Sequence, residues 1–242
     1  MERKKNALIF GFVGLFLCGI GDWLIGYEPR GGQAILFGIT NTRITDVPSW
    51  FYILSMAFGV LSGFACQRFA PVMLEVLDEK GIDRSRGAIK AFRFGLSSAP
   101  LMFITFHCAC CICLLFLQAG LKEGISVEGF SGSFLTPVIV SLLPFTVWCF
   151  LVDIPCTVAY MALVWKGELG LPKAAMLLSP LGMSIAAKII AAILFAVGLD
   201  RFAFLAACGE SWGWAFMCLA FLRSMQTDIS GEYPIHDREV LP

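Results

Sequence analysis

Six long apolar segments limit the folds open to this chain. Each is 21 to 33 residues long and holds a single charged residue; they are residues 6–27, 49–74, 91–120, 133–165, 174–198 and 202–222. About 20 apolar residues in a helix cross a hydrocarbon core of about 30 Å. The chain is 58% hydrophobic and 15% charged, whereas soluble domains are about 25% charged. The pattern predicts an all-α, polytopic bundle of six transmembrane helices and excludes a soluble globular fold.

The distribution of lysine and arginine predicts how these helices thread through the membrane. If the segments alternate in direction, 13 of the 18 cations lie on the side of the two termini and four on the opposite side, while Lys188 lies within a helix. Cations are retained in the cytoplasm during insertion, so both termini are predicted to be cytoplasmic. Residues 1–223 then form a single transmembrane domain, and residues 224–242 form a polar cytoplasmic tail.

The cysteines and the net charge exclude several functional classes. All ten cysteines lie in the apolar segments, so no extracellular disulfide framework is predicted. The net charge is zero and the cations are dispersed over several loops, which predicts no nucleic-acid partner.

A run of cysteines after His107 contains residue types that bind soft metals. On a continuous helix Cys108 and Cys111 share one face. Cys110 and Cys113 lie about 200° around from it, so the four thiols cannot converge on one ion. The sequence therefore predicts no metal site and no cofactor.

Prolines interrupt two of the segments. Pro100 lies within residues 91–120, while Pro137, Pro144 and Pro155 lie within residues 133–165. Because proline removes a backbone donor that lipid cannot replace, kinks or a re-entrant start are expected there. Small residues elsewhere indicate close helix packing; they include Gly11, Gly14, Gly59, Gly63 and Ala187.

Five ionisable side chains lie deep inside the apolar segments: Asp22, His107, Asp153, Lys188 and Glu210. Such groups cost at least about 2.5 kcal/mol each at the bilayer centre, so each is a candidate functional residue. The helical rise places His107, Asp153 and Lys188 near the midplane and the other two nearer the external side. One polar cavity that opens outward could therefore contain all five.

Three interpretations of such a cavity are open. In the first, the protein binds or isomerises a lipophilic small molecule or membrane lipid, with His107 and Asp153 as the catalytic acid/base pair. Activity would then vary between about pH 5 and 8, and His107→Gln would abolish that dependence. In the second, the protein is a proton- or ion-linked transporter that uses Asp22, Asp153 and Glu210. In the third, the groups only pair with one another, and the protein is a structural or accessory subunit.

Helical spacing and depth add further binding residues. Residues three or four apart share a helix face, which places Trp214 beside Glu210 and Tyr160 on the same helix as Asp153. Lys188 and Glu210 should reach nearly the same depth, since only residues 199–201 join their helices. If both face inward, an ion pair or a shared water between them is expected, with Asp153 as the competing partner for Lys188. The predicted binding residues are Asp22, Tyr160, Lys188, Glu210 and Trp214.

Several short motifs resemble a family of uncharacterised bacterial multi-pass membrane proteins. The motifs are Gly21–Tyr27 (GDWLIGY), His107–Cys111 (HCACC), Gly170–Lys173 (GLPK) with Ser179–Gly182 (SPLG), and Ser211–Gly213 (SWG). They are spread over most of the chain. The resemblance implies a six-helix fold in the bacterial inner (plasma) membrane, and it implies no particular activity.

The threading predicts that Leu36 lies outside the cell and that the chain after Arg223 lies inside. A reporter that is active only outside should be active when fused at Leu36 and inactive after Arg223. A reporter that is active only in the cytoplasm is the matched control and should give the reverse pattern. Cytoplasmic activity at position 36 would contradict the threading.

Overall fold

The computed structural model describes residues 1–27, 34–36, 39–40, 44–126, 135–199 and 205–230. Within them, a short antiparallel strand pair, β1 (Ala34–Leu36) and β2 (Ile39–Thr40), accompanies an otherwise helical fold. A 3-10 turn, Lys173–Leu178, precedes the fifth helix. The helices are α1 (Glu2–Gly26), α2 (Ser49–Glu79), α3 (Gly87–Lys122), α4 (Leu135–Trp165), α5 (Pro180–Ala196) and α6 (Gly209–Ser230).

The helices confirm the all-α class and the multi-pass membrane character. In the described part of the chain, five helices are long and apolar enough to cross a membrane; α5 is apolar but shorter. Its 17 residues give about 25 Å of rise, less than a hydrocarbon core of about 30 Å. The number of six spans therefore stays a prediction.

Helix α1 lies near the middle of the row in which neighbouring helices contact one another. It packs against α2 and α6, while α2 contacts α3, α3 contacts α4, and α6 contacts α5. Large buried side chains fill the space between the helices, and the rings of Phe92 and Phe221 stack with centroids 5.8 Å apart. Many large apolar side chains remain exposed on the outer faces, such as Ile112, Phe150 and Ile193, as expected for surfaces that contact lipid.

Helix α2 continues past the end that the sequence predicted. The apolar segment that predicted this helix ends at residue 74, but the helix runs to Glu79. Arg3 binds Glu75 at 2.9 Å and Lys4 pairs with Glu79, so the first turn of α1 stabilises the last turns of α2. The end of the apolar run is therefore not the end of the helix.

Helix α4 is continuous despite its prolines. It runs from Leu135 to Trp165 through Pro144 and Pro155, and α3 likewise runs through Pro100. The re-entrant start expected for α4 is therefore wrong within residues 135–165. The prolines remove single hydrogen bonds without breaking the helix, because the neighbouring turns keep theirs.

Small residues set the close approaches between helices, as predicted. A Cβ built on Gly11 would lie 2.6 Å from the Phe69 ring, and one on Gly14 would lie 2.6 Å from Ala65. The start of α5 uses the same principle, since a Cβ on Gly213 would lie 2.4 Å from Pro180. Close backbone packing therefore fixes how these helices face one another.

At one end of the bundle, polar contacts join the connections that carry lysine and arginine. Arg86 binds Glu168 at 2.6 Å, and the Ser224 hydroxyl donates to the Leu169 carbonyl at 2.6 Å. Lys80 donates to the Ser224 carbonyl at 3.3 Å. That this end faces the cytoplasm stays a prediction. The division at residue 223 also stays a prediction; α6 continues to Ser230, and residues 231–242 lie outside the described part.

Gln118 is a buried polar side chain near the opposite end of α3. Its amide nitrogen donates to the carbonyls of Ile44 at 2.6 Å and Val47 at 2.7 Å, and its oxygen accepts from the Ser49 hydroxyl. Gln118 therefore fastens the chain that precedes α2 onto α3.

We expect Gln118→Leu to lower the thermal midpoint of the purified protein in detergent. The substitution leaves two buried carbonyls without donors, and each unsatisfied group costs about 1–3 kcal/mol. Gln67→Leu is the control, because Gln67 is exposed on α2. Equal midpoints for the two variants would contradict the role assigned to Gln118.

Candidate functional site

A first group of polar side chains joins α1, α3 and α6. The Nε2 atom of His107 lies 3.0 Å from Cys18 Sγ and 3.4 Å from Asp22 Oδ1. The Ser211 hydroxyl donates to Asp22 Oδ2 at 2.6 Å and lies 3.6 Å from Cys18 Sγ. Cys18, His107 and Ser211 are buried, and the Asp22 side chain is 14% exposed. We name these four residues the Cys18 cluster.

A second group joins α4 and α6. The Cys149 sulfur lies 3.2 Å from Glu210 Oε1 and 3.7 Å from Asp153 Oδ2. The Trp214 indole N–H donates to Asp153 Oδ1 at 2.7 Å. Cys149, Asp153 and Trp214 are buried, whereas Glu210 is partly buried. We name these four residues the Glu210 cluster.

The two clusters border one cavity of about 80 Å³. Asp22, His107 and Ser211 line it from the Cys18 cluster, and Cys149 and Glu210 line it from the Glu210 cluster. Its apolar walls are Met102, Phe103, Phe106 and Ala207. Since one water needs about 10–15 Å³ of such space, the cavity has room for a few waters or small ions. The clusters can therefore exchange a proton or a small ion across a short distance.

Packing holds the His107 imidazole in place. The Phe103 ring stacks on it with centroids 6.4 Å apart, and the Phe106 ring meets it edge-on at 6.4 Å. On the other side, a Cβ built on Gly59 would lie 2.3 Å from His107 Cβ. The backbone of α2 thus lies directly against the base of this side chain, and only glycine permits that approach.

The structure brings three of the five ionisable residues of the apolar segments to the cavity wall. Asp22, His107 and Glu210 line the cavity. Asp153 does not line it but contacts Cys149, which does. Among the described residues, no hydrogen bond joins His107 to Asp153; the imidazole contacts Asp22 instead. The acid/base roles given to His107 and Asp153 stay predictions.

The expected ion pair between Lys188 and Glu210 is wrong. Lys188 is exposed on the outer face of α5, while its neighbour Ala187 is buried. A Cβ on Gly209 would lie 2.9 Å from Ala187 Cβ, so α5 turns its small residues toward α6. Lys188 therefore points away from the bundle, where its long stem can carry the ammonium toward the headgroups.

The two aromatic residues predicted to bind ligand have different surroundings. Trp214 is fully buried and belongs to the Glu210 cluster. The Tyr160 hydroxyl donates to the Ala175 carbonyl at 3.0 Å, in the 3-10 turn before α5. Tyr160 thus fastens this turn to α4 and does not line the cavity. The binding roles of both residues stay predictions.

Sequence reasoning missed Cys18, Cys149 and Ser211. Both cysteines lie four residues before a buried aspartate, in the pairs Cys18/Asp22 and Cys149/Asp153. Residues at this spacing share a helix face, so the repeated Cys-x-x-x-Asp pattern was the available signal. The cysteines that follow His107 were the thiols considered as metal ligands from the sequence. Cys108, Cys110 and Cys113 are only partly buried and belong to neither cluster.

The chain has a match among known protein families. A family of unknown function (DUF6796) matches residues 1–228, and the chain therefore belongs to this family. No curated protein and no solved structure is detectably similar to the chain. The family carries no assigned activity, so the function has to be argued from the two clusters.

We expect Gly59→Ala to destabilise the protein in detergent. The new methyl group would overlap His107 Cβ and force α2 away from α3, and overpacking of this kind costs about 1–3 kcal/mol. Gly87→Ala is the control, because a Cβ at Gly87 meets no atom within 4 Å. The thermal midpoint should fall in the first variant and be unchanged or higher in the second. An unchanged midpoint for Gly59→Ala would show that the close approach is not required.

Proposed function

We propose that this protein is a proton- or ion-linked transporter of the bacterial inner membrane, with six spanning helices and both termini in the cytoplasm. Asp22 and Glu210 exchange the proton or ion at the cavity. His107 contacts Asp22, and Asp153 and Glu210 both contact Cys149. The positive-inside distribution of lysine and arginine supports the orientation, and the exposed apolar face of α5, including Ile185 and Ile189, supports its place in the membrane.

The observation that carries this proposal is the charge balance of the two clusters. Asp22, Asp153 and Glu210 lie within membrane-spanning helices. In the described part of the chain, no lysine or arginine forms an ion pair with any of the three. An ionised carboxylate without a cation is very costly in such surroundings. Asp153 and Glu210 must therefore hold a proton or a mobile cation, and Asp22 must do the same or share a proton with His107, which lies 3.4 Å away. Groups that hold an exchangeable proton or cation are what an ion-transfer site requires.

The size of the cavity favours ions over a lipophilic substrate. Sites for small organic molecules measure about 300–1,000 Å³, and the cavity between the clusters measures about 80 Å³. Phe103 and Phe106 line it and are fixed against His107. Isomerisation of a lipophilic molecule between His107 and Asp153 would need the helices to separate.

Binding of a membrane lipid is a second candidate, at a different place. A groove of about 620 Å³ between α1 and α2 is lined by Arg3, Phe10, Arg68, Glu75 and neighbouring residues. This volume is within the range of ligand sites. Arg3 is paired with Glu75, so the Arg68 guanidinium is the group that suits an anionic headgroup. Native mass spectrometry of the protein and of Arg68→Gln would test it; a lipid that copurifies equally with both would argue against the groove.

Proton flux in proteoliposomes tests the transport proposal. The purified protein is reconstituted with a pH-sensitive dye inside the vesicles, and a potassium diffusion potential is applied. We expect proton entry above that of protein-free vesicles, and we expect Glu210→Gln to reduce it by about 100-fold or more, which is the contribution of a positioned proton-transfer group.

The matched control for this experiment is Glu123→Gln. Glu123 is exposed after the end of α3, so its substitution removes the same charge outside the clusters. Flux in this variant should equal that of the unmodified protein. Absence of protein-dependent flux, or equal flux in Glu210→Gln, would rule out proton transfer through the cavity.

A further inference from the structure

We propose that the Cys18 cluster and the Glu210 cluster are binding sites for a divalent transition-metal ion of the zinc type, which is the cation carried through the cavity. This inference rests on the proposed function and names its cargo.

Each site begins with the same pair of ligands on one helix. Cys18 and Asp22 lie four residues apart on α1, and Cys149 and Asp153 lie four residues apart on α4. This spacing places a sulfur and a carboxylate on one helix face, one turn apart. Two helices thus carry an identical thiol–carboxylate pair, and one member of each pair, Asp22 and Cys149, lines the cavity.

A third ligand completes each pair from another helix. His107 on α3 completes the first and Glu210 on α6 completes the second. In each trio, the ligand atoms all lie within 4.8 Å of one another. A trio of this kind resembles the sites in which three protein ligands leave a fourth position open for an exchangeable ligand.

The distances between ligand atoms fit a tetrahedral ion. Zinc bonds of about 2.3 Å to sulfur and about 2.0 Å to nitrogen or oxygen place sulfur about 3.5 Å from either atom, and nitrogen about 3.3 Å from oxygen. In the Cys18 cluster the sulfur–nitrogen distance is 3.0 Å and the nitrogen–oxygen distance is 3.4 Å. In the Glu210 cluster the two sulfur–oxygen distances are 3.2 and 3.7 Å. For these four pairs of ligand atoms, shifts of about half an ångström or less would give the distances of a bound ion. The remaining pair in each trio lies within 4.8 Å.

The chemistry of the ligands selects the class of ion. Magnesium and calcium prefer six or more oxygen ligands, whereas these clusters offer sulfur, imidazole and carboxylate. Thiolate and imidazole favour zinc and neighbouring transition metals. In the Cys18 cluster, a thiolate and a carboxylate carry two negative charges, which neutralise a divalent ion without any further group. In the Glu210 cluster, the thiolate and two carboxyl groups neutralise the ion when one carboxyl keeps its proton. Neutrality matters because the site lies within the spanning helices.

In both clusters a neighbouring side chain donates a hydrogen bond to the aspartate ligand. The Ser211 hydroxyl donates to the Asp22 oxygen that faces away from His107, and the Trp214 indole donates to Asp153. Hydrogen bonds of this type orient the ligands of metal sites, and their loss typically weakens binding by about 10–100-fold.

The test is a cobalt titration of the full-length protein in detergent, with a reductant that lacks thiols. Thiolate-to-cobalt charge transfer absorbs in the near ultraviolet, so this band reports cysteine ligation directly. We expect a saturable band that zinc displaces. Cys18→Ser and Cys149→Ser should each remove part of the band, and the double variant should remove all of it. His107→Gln should weaken binding at the Cys18 cluster by at least about tenfold.

The matched control is Cys113→Ser, because Cys113 belongs to neither cluster. Its band should equal that of the unmodified protein. A folded protein without a thiolate band, a band that survives in the double variant, or a band that depends on Cys113 would each overturn the proposal. The result is independent of transport: proton flux that depends on Glu210 without a cobalt band would refute the metal sites alone. A cysteine-dependent band in a protein whose proteoliposomes take up neither protons nor zinc would support the sites and refute the carrier.

Discussion

The cost of burying ionised carboxyl groups without fixed cations is the constraint on which this structure depends. Asp22, Asp153 and Glu210 lie inside helices that are long and apolar enough to span a membrane. Their hydrogen-bond donors are a hydroxyl, an indole and a thiol, from Ser211, Trp214 and Cys149. Neutral donors of this kind orient a carboxyl but do not balance its charge. Among the described residues, His107 is the one basic side chain against these carboxyls, 3.4 Å from Asp22, and no lysine or arginine pairs with them. This lack of a fixed cation is the property from which both the transport proposal and the metal proposal follow.

Helix packing by glycine is what brings these groups together. Gly59 lets α2 approach His107, and a Cβ on Gly19 of α1 would lie 2.3 Å from the Trp212 ring of α6. Gly209 and Gly213 do the same for α5, which packs on α6 through its own small residues. Because these contacts leave no room for even a methyl group, they fix the rotation of each helix. The rotation in turn decides which polar side chains face the cavity.

The sequence was sufficient for the membrane class, for most helix positions and for the convergence of Asp22, His107 and Glu210. Segment length and helical rise determine depth, which placed His107 near the midplane and Asp22 and Glu210 nearer the external side, within reach of one cavity that opens outward. Depth could not determine the rotation about each helix. The sequence therefore did not predict that Lys188 lies on the outer face of α5 or that His107 contacts Asp22. The end of α2 was also not predicted, because its last turns lie past the apolar segment and pair with charged residues of α1. The thiols of Cys18 and Cys149 were visible as a repeated spacing, but cysteine is also an ordinary apolar residue in membrane helices.

The protonation state of the cluster carboxyls tests the central claim most directly. Infrared difference spectroscopy of the protein in nanodiscs, with and without zinc, separates a protonated carboxyl from an ionised one by its carbonyl stretch. The account predicts a protonated carboxyl signal in the metal-free protein that disappears when zinc binds, and that is already diminished in Asp22→Asn and Glu210→Gln. Carboxyls that are fully ionised in the metal-free protein, or a protonated signal that zinc does not change, would contradict it.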